Sequence, residues 1–377
     1  MSKAYHVPAR PPSGRARSLL LLSGGSLVAN NILDSLSGRR SGLSVAATNS
    51  VPDGPGLDRF DQIYKVPETA TARRDFEDRL DQILEVQQPD LVIPCRDDDV
   101  IALAELKERG HPWGPRFLCG GATISSALHD KFESYRFCAA RGLPFVPTLR
   151  TPASRALAST FVERYGLPLL IKPAAGFASR GVRILVTREQ LFQSLDTEDL
   201  LVQRFLGEPS EVLDAWNRFH TQGIPLFHSF EGLKHSIQVM IDPDGNCNDV
   251  FCSVNVNRNG TSLSLERYED EDALQLGRDC AAELASAGAR GPVNIQCQKA
   301  PDGKLWIYEF NARFSGATAA RRLMGFDEVA MALARYAGIL LPSVSDKKGS
   351  RVSRIAVDKI DGAAGPSLNA NRESLRP

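Results

Sequence analysis

The ten residues KLWIYEFNAR, Lys304 to Arg313, begin as an apolar strand and end in Glu309, Asn311 and Arg313. Upstream, VNIQCQKA (Val293 to Ala300) alternates in the same way, and Pro301 to Gly303 supplies a turn, so Val293 to Ala312 predicts an antiparallel hairpin. Side chains alternate faces along a strand, which puts Glu309 and Asn311 on one face, with Ile307 beside them and Tyr308 opposite. Gln296 lies on the partner strand. One face then gathers the side-chain oxygens of Gln296, Glu309 and Asn311, hard donors of the kind Mg²⁺ takes when it bridges phosphates. Arg313 follows, placed to meet a phosphate or a carboxylate. A solvent-facing polar stripe would give the same pattern.

A second segment bears on that choice. PLLIKPAAGFASRGVRIL (Pro168 to Leu185) reads as strand, glycine loop, strand, with Lys172 at the end of the first strand and Gly176, Ser179 and Gly181 in the loop. Backbone N–H groups of such a loop and a lysine ammonium suit phosphate oxygens. Asp130–Lys131, taken alone, reads as a helix cap followed by a solvated charge.

Around these segments, short apolar runs alternate with helical stretches. Ser18 to Gly25, Leu43 to Ala47 and Leu91 to Pro94 predict strands, and Leu27 to Leu36 and Phe76 to Val86 predict helices, an order that implies a parallel sheet covered on both faces. Further on, helices are expected at His129 to Gly142, Ala273 to Ala287 and Asp327 to Gly338, with one ending at Phe161 to Tyr165. A strand is expected at Leu200 to Leu206 and a hairpin at His235 to Asn257 with its turn at Pro243 to Gly245. Glu208 to Phe230 fits no clear element.

Lys plus Arg (45) balances Asp plus Glu (45), which argues for neither nucleic acid nor a membrane surface as partner. No apolar run approaches the ~20 residues of a membrane helix. The seven cysteines show no CxxC pair and read as reduced thiols of a cytoplasmic protein. GxxxxGK[ST] is absent, and Gly24–Gly25 does not complete GxGxxG, which argues against a P-loop and a dinucleotide site.

In order, DK at 130–131, GLPFVPT at 142–148, IKPAAGFASRGV at 171–182, LVQRFLG at 201–207, SIQVMIDPDG at 236–245, NIQC at 294–297 and YEFNARFSG at 308–316 resemble the ATP-grasp superfamily, in its carbamoyl-phosphate-synthase-like branch. QPDLVIPCRDDDV (Gln88 to Val100) resembles the pre-ATP-grasp domain of that branch. The resemblance implies an α/β and α+β chain with a Rossmann-like parallel-sheet domain (18–120), a small or lid subdomain (121–205) and a C-terminal grasp subdomain (206–345), while composition predicts a disordered arm (1–17) and a loose tail (346–377).

The resemblance also implies the roles. Lys131 and Lys172 would contact ATP phosphates beneath the loop of Gly176, Ser179 and Gly181. Gln203, Arg204, Phe205 and Leu206 would meet adenine. Gln296, Glu309 and Asn311 would hold Mg²⁺, with Mn²⁺ as a substitute. Arg313 would stabilise the transferred phosphoryl group, and Arg258 is a second catalytic candidate. Ser315, Arg321 and Arg322, with Arg313, are candidates for the substrate carboxylate. Lys234 and His235 stand where relatives place a ribose-binding acid; Glu231, Glu208 or Glu211 would replace it. The implied reaction joins a small-molecule carboxylate to an amine through an acyl phosphate, with ADP released and a homodimer expected. A carboxylate or carbamate kinase and an inactive nucleotide-binding regulator are the alternatives.

Overall fold

The computed structural model describes residues 16–51, 54, 56–174, 181–225, 230, 232–258, 261–343 and 348–355. Its first sheet comes from β1 (Arg17–Leu21), α1 (Leu27–Leu36), β2 (Leu43–Asn49), β3 (Gln62–Lys65), α2 (Arg73–Gln87), β4 (Leu91–Ile93) and α3 (Asp97–Glu108). The strands pair in parallel in the order β3-β2-β1-β4. Two strands were expected before Leu91; β3 makes a third, too short for its alternation to stand out. Strand β1 is apolar on both sides because both are covered: Leu19 and Leu21 join a core with α1, and Leu20 and Leu22 one with α2 and α3.

Next come α4 (Ala122–His129) and α5 (Lys131–Ala140). The single helix expected over His129 to Gly142 is thus the second of two. Asp130 breaks and caps them, its carboxylate accepting from the N–H groups of Phe132 and Glu133. The small sheet follows, from β5 (Thr148–Arg150), α6 (Arg155–Tyr165), β6 (Leu169–Pro173), β7 (Arg183–Leu185), α7 (Arg188–Phe192) and β8 (Leu200–Arg204), ordered β5-β8-β6-β7 and antiparallel. Glu208 to Phe230 holds an unexpected element, helix α8 (Pro209–Gln222), with Pro209 in its first turn and Val212 and Ala215 buried.

The third sheet is built from β9 (Lys234–Ile241), β10 (Val250–Arg258), β11 (Thr261–Arg267), α9 (Glu271–Ser286), β12 (Gly291–Lys299) and β13 (Leu305–Asn311), followed by α10 (Thr318–Leu323), α11 (Glu328–Ala337) and β14 (Arg351–Ser353). The strand order is β13-β12-β9-β10-β11-β14. Both expected hairpins form. The region expected to be a loose tail carries β14, which pairs antiparallel with β11.

Three connections place the site. Val329 and Leu333 of α11 and Phe314 enter the same core as Leu19 and Ile32, so the parallel sheet and the third sheet share buried apolar surface. Ile124, Leu128 and Cys138 of α4 and α5 join the core of the third sheet. Between α5 and β5, the chain runs beside β13: the N–H of Val146 donates to the carbonyl of Ile307 at 2.7 Å, and the N–H of Ile307 to the carbonyl of Pro144 at 2.8 Å.

Candidate active site

Gln238, Asn294 and Asn311 form one cross-strand row on β9, β12 and β13; Ser236, Gln296 and Glu309 form the next. Opposite Gln296 the ladder slips. Gln296 pairs with Glu309 and Cys297 with Ile307, so Tyr308 is an extra residue in a β-bulge. The bulge corrects the simple alternation: Ile307 does not lie beside Glu309 but is fully buried in the core opposite Cys297. Tyr308 presents its ring to Lys172 and Lys234, whose Nζ atoms lie 5.6 and 5.5 Å from its centroid. Burial and the neighbouring Glu309 charge push the Tyr308 phenol well above its ordinary pKa.

Two lysines reach this face from other elements. Lys131, in the first turn of α5, places Nζ 3.6 Å from Glu309 Oε1. Lys172, on β6 of the small sheet, donates to the carbonyl of Tyr308 at 3.4 Å. Burial lowers the Lys172 pKa to about 8, with Lys131 and Lys234 pushing the same way and Glu309 opposing. The floor is polar and buried: Asn294 Nδ2 donates to Ser236 Oγ (2.7 Å) and Gln238 Oε1 (3.0 Å). Gln238 Nε2, wholly buried, has no partner among the described residues.

Arg313 Nη2 donates both to Asn311 Oδ1 (2.9 Å) and to Asp97 Oδ2 (2.7 Å), the first residue of α3. Burial acts to raise the Asp97 pKa, but Arg313, His129 and Lys131 together hold it below its usual range. Asp97 was not among the residues singled out from the sequence. Its one signal there is an acid four residues beyond an apolar parallel strand, at the strand's carboxyl end, where open α/β folds place ligands.

The remaining candidates fall in several places. Gln203 is buried on β8 and donates to Thr148 Oγ1 at 2.9 Å, while Arg204 pairs with Asp302 at 3.1 Å. The ladder ends at Arg204; Phe205 and Leu206 run beyond it, and the Leu206 side chain enters the core of the third sheet. Gly181 packs near the Pro173 ring. Glu208 and Glu211 are exposed at the start of α8. Gly176, Ser179, Glu231 and the Arg258 side chain lie outside the described residues.

Ser315 Oγ accepts from Arg321 Nη2 at 2.9 Å. Arg321 is 1% exposed, and its Nε and Nη2 donate to Glu328 Oε1 at 3.0 and 2.6 Å; Glu328 is fully buried. Nε and Nη2 of Arg321 are thus engaged inside the protein by Glu328, between α10 and α11, while its buried Nη1 has no partner among the described residues. Arg322 is half-buried beside it.

The donor set fits Mg²⁺ in one respect and limits it in another. Gln296, Glu309 and Asn311 offer hard oxygens, but only one is a carboxylate, and no group of three or more His, Cys, Asp or Glu able to hold a metal exists among the described residues. Mg²⁺ keeps an incomplete protein shell of this kind when phosphates supply other ligands.

Comparison with known proteins matches this architecture. The family model described as "Carbamoyl-phosphate synthase L chain, ATP binding domain" matches residues 130–343, more than half of the chain. The pyruvate carboxylase of Schizosaccharomyces pombe is 24% identical over 267 residues, 64% of this chain but 20% of that protein. The D-alanine–D-alanine ligase of Neisseria meningitidis is 28% identical over 204 residues, 51% of this chain and 59% of that enzyme. The chain thus spans about a fifth of the pyruvate carboxylase it matches. The biotin carboxylase domain dimer of the 2-oxoglutarate carboxylase of Hydrogenobacter thermophilus, solved with MgADP, ADP and bicarbonate, superposes with a TM-score of 0.62 at 18% identity, covering 88% of this chain and 72% of that one.

Proposed function

The chain belongs to the carbamoyl-phosphate synthase L chain ATP-binding-domain family, within the ATP-grasp enzymes, and on that premise we propose that it is an ATP-dependent carboxylate–amine ligase. The observation that carries the reading is the convergence of Lys131 and Lys172, from two separate elements, on the face bearing Gln296, Glu309 and Asn311, with Arg313 at its end.

In this reading Lys131 and Lys172 bind and orient the phosphate chain. Gln296, Glu309 and Asn311 would hold Mg²⁺, which neutralises phosphate charge when bound. A substrate carboxylate oxygen attacks the γ-phosphorus, the bond to ADP breaks, and an acyl phosphate forms. An amine then attacks the acyl carbon; phosphate leaves and the amine loses a proton. Arg313 stabilises the transferred group, held in orientation by Asp97 and Asn311. Positioning and charge carry such chemistry, which needs no acid–base triad. The cytoplasm as location and a homodimer as assembly are part of the same proposal; no described helix is long and apolar enough to cross a membrane.

The test is ADP release across a panel of carboxylates, including amino acids and bicarbonate, with hydroxylamine present. Hydroxamate formation supports an acyl phosphate, and an amide product with a second amine selects the ligase. Phosphorylation without amide formation would select the kinase alternative. Nucleotide binding without turnover on any carboxylate would overturn catalysis in favour of a regulator.

A further inference from the structure

Lys234 opens β9 at the position where an acid was expected from the resemblance to relatives, and it lies on the face of the third sheet that bears Gln296 and Glu309. It shares a face with Ser236 and Gln238, two residues apart each time along the strand. Its ammonium donates to Gln298 Oε1 of β12 and stands over the Tyr308 ring. Lys172 stands over the same ring from the small sheet. Lys131 closes the group from α5 through Glu309.

Three ammonium groups from three elements thus gather around Tyr308 and Glu309. Like charges held close together with little exposure to solvent repel, and Lys131 and Lys234 both act to lower the Lys172 pKa. Glu309 serves both Lys131 and Lys172. Such a cluster suits a ligand with several negative charges, whose binding relieves the repulsion. Gln298 and the Tyr308 ring fix the Lys234 ammonium without adding a negative charge of their own.

We infer that Lys234 is a third phosphate-binding cation of the nucleotide site, completing a lysine cradle with Lys131 and Lys172 in the place of a ribose-binding acid. The inference rests on the ATP-dependent reading above and adds a residue to it. It makes affinity depend steeply on the number of phosphates, because the extra contact is to charge rather than to sugar.

Calorimetric titration of the full chain with ATP, ADP and AMP, at low and high salt, tests it. Loss of one charge-assisted contact corresponds to about tenfold to a hundredfold in Kd. Lys234→Gln should weaken ATP and ADP by that amount, weaken AMP less than about threefold, and flatten the salt dependence of ATP binding. Lys234→Arg, which keeps the charge, should bind ATP within about threefold of the unaltered chain. Lys172→Gln is the reference. If Lys172→Gln loses ATP affinity while Lys234→Gln keeps it, or if Lys234→Gln weakens all three nucleotides equally, the cradle is wrong and the ATP-dependent reading stands. If neither substitution changes ATP affinity, both fail. Should Lys234→Gln not fold, Lys234→Met takes its place: a loss of ATP and ADP affinity of about tenfold or more upholds the assignment, and ATP affinity within about threefold of the unaltered chain overturns it.

Discussion

Asp97 and Arg313 meet at 2.7 Å across 216 positions of sequence, joining the first turn of α3 to the end of the β12–β13 hairpin. The parallel sheet therefore orients a residue of the proposed phosphoryl-transfer site directly. Arg313 also bonds Asn311 Oδ1, so one guanidinium touches a candidate metal ligand and an acid from another sheet. Misplacement of a catalytic group by an ångström costs on the order of a hundredfold in rate. Asp97→Asn should lower kcat by about tenfold to a hundredfold and leave KM for ATP within about threefold. Steady-state kinetics with varied ATP checks this; a change confined to KM would assign Asp97 to binding or folding instead.

Lys172 gives a pH dependence. Its folded-state pKa, about 8, lies below that of the unfolded chain. Above about 8 the folded apo protein loses this ammonium while the unfolded chain still holds the proton, so the residue's contribution to stability rises with pH over that window. Affinity for nucleotide moves the other way. ADP affinity should fall by up to about tenfold per pH unit above 8, because binding must first restore the proton. Titrations between pH 7 and 9 should show the break, and Lys172→Arg should remove it.

Glu309 is the one carboxylate of the proposed metal face. Glu309→Ala should reduce turnover at least about a hundredfold. With so incomplete a protein shell, Mg²⁺ should show no saturable binding at millimolar concentration until ADP or ATP is present. Calorimetry with and without nucleotide checks both halves, and tight Mg²⁺ binding to the nucleotide-free chain would place the metal elsewhere.

Arg321 and Glu328 form a buried ion pair at 2.6 Å. Arg321→Ala should cost about 3–5 kcal/mol, because it strands a buried carboxylate. The pair Arg321→Met with Glu328→Leu should recover most of that loss. Denaturant unfolding of the variants checks this. Full stability in Arg321→Ala would return the arginine to the list of substrate ligands.

Much of this was legible because local patterns and local structure agreed. The turns at Pro243 to Gly245 and Pro301 to Gly303 join well-alternating strands, and both hairpins form as expected. Lys131, Lys172, Gln296 and Glu309 converge because strand ends and a helix start fix where their side chains go. Other features depend on contacts that no local pattern encodes. Asp97 matters through Arg313, and Arg321 turns inward because Glu328 on the next helix neutralises it. The α8 helix was missed although Val212, Ala215, Trp216 and Phe219 recur at helical spacing; the polar residues between them masked the stripe.

The bulge at Tyr308 acts as a phase shift in the strand. Residues on either side of it obey opposite parities, so Ile307 answers to the core and Glu309 to the ligand without either constraining the other. Deleting Tyr308 would leave Ile307 and Glu309 adjacent, still on opposite faces and still opposite Cys297 and Gln296, so the ladder would become regular and the site would lose the ring that Lys172 and Lys234 face. The inserted residue therefore matters through its own ring and carbonyl, and not through the sidedness of its neighbours.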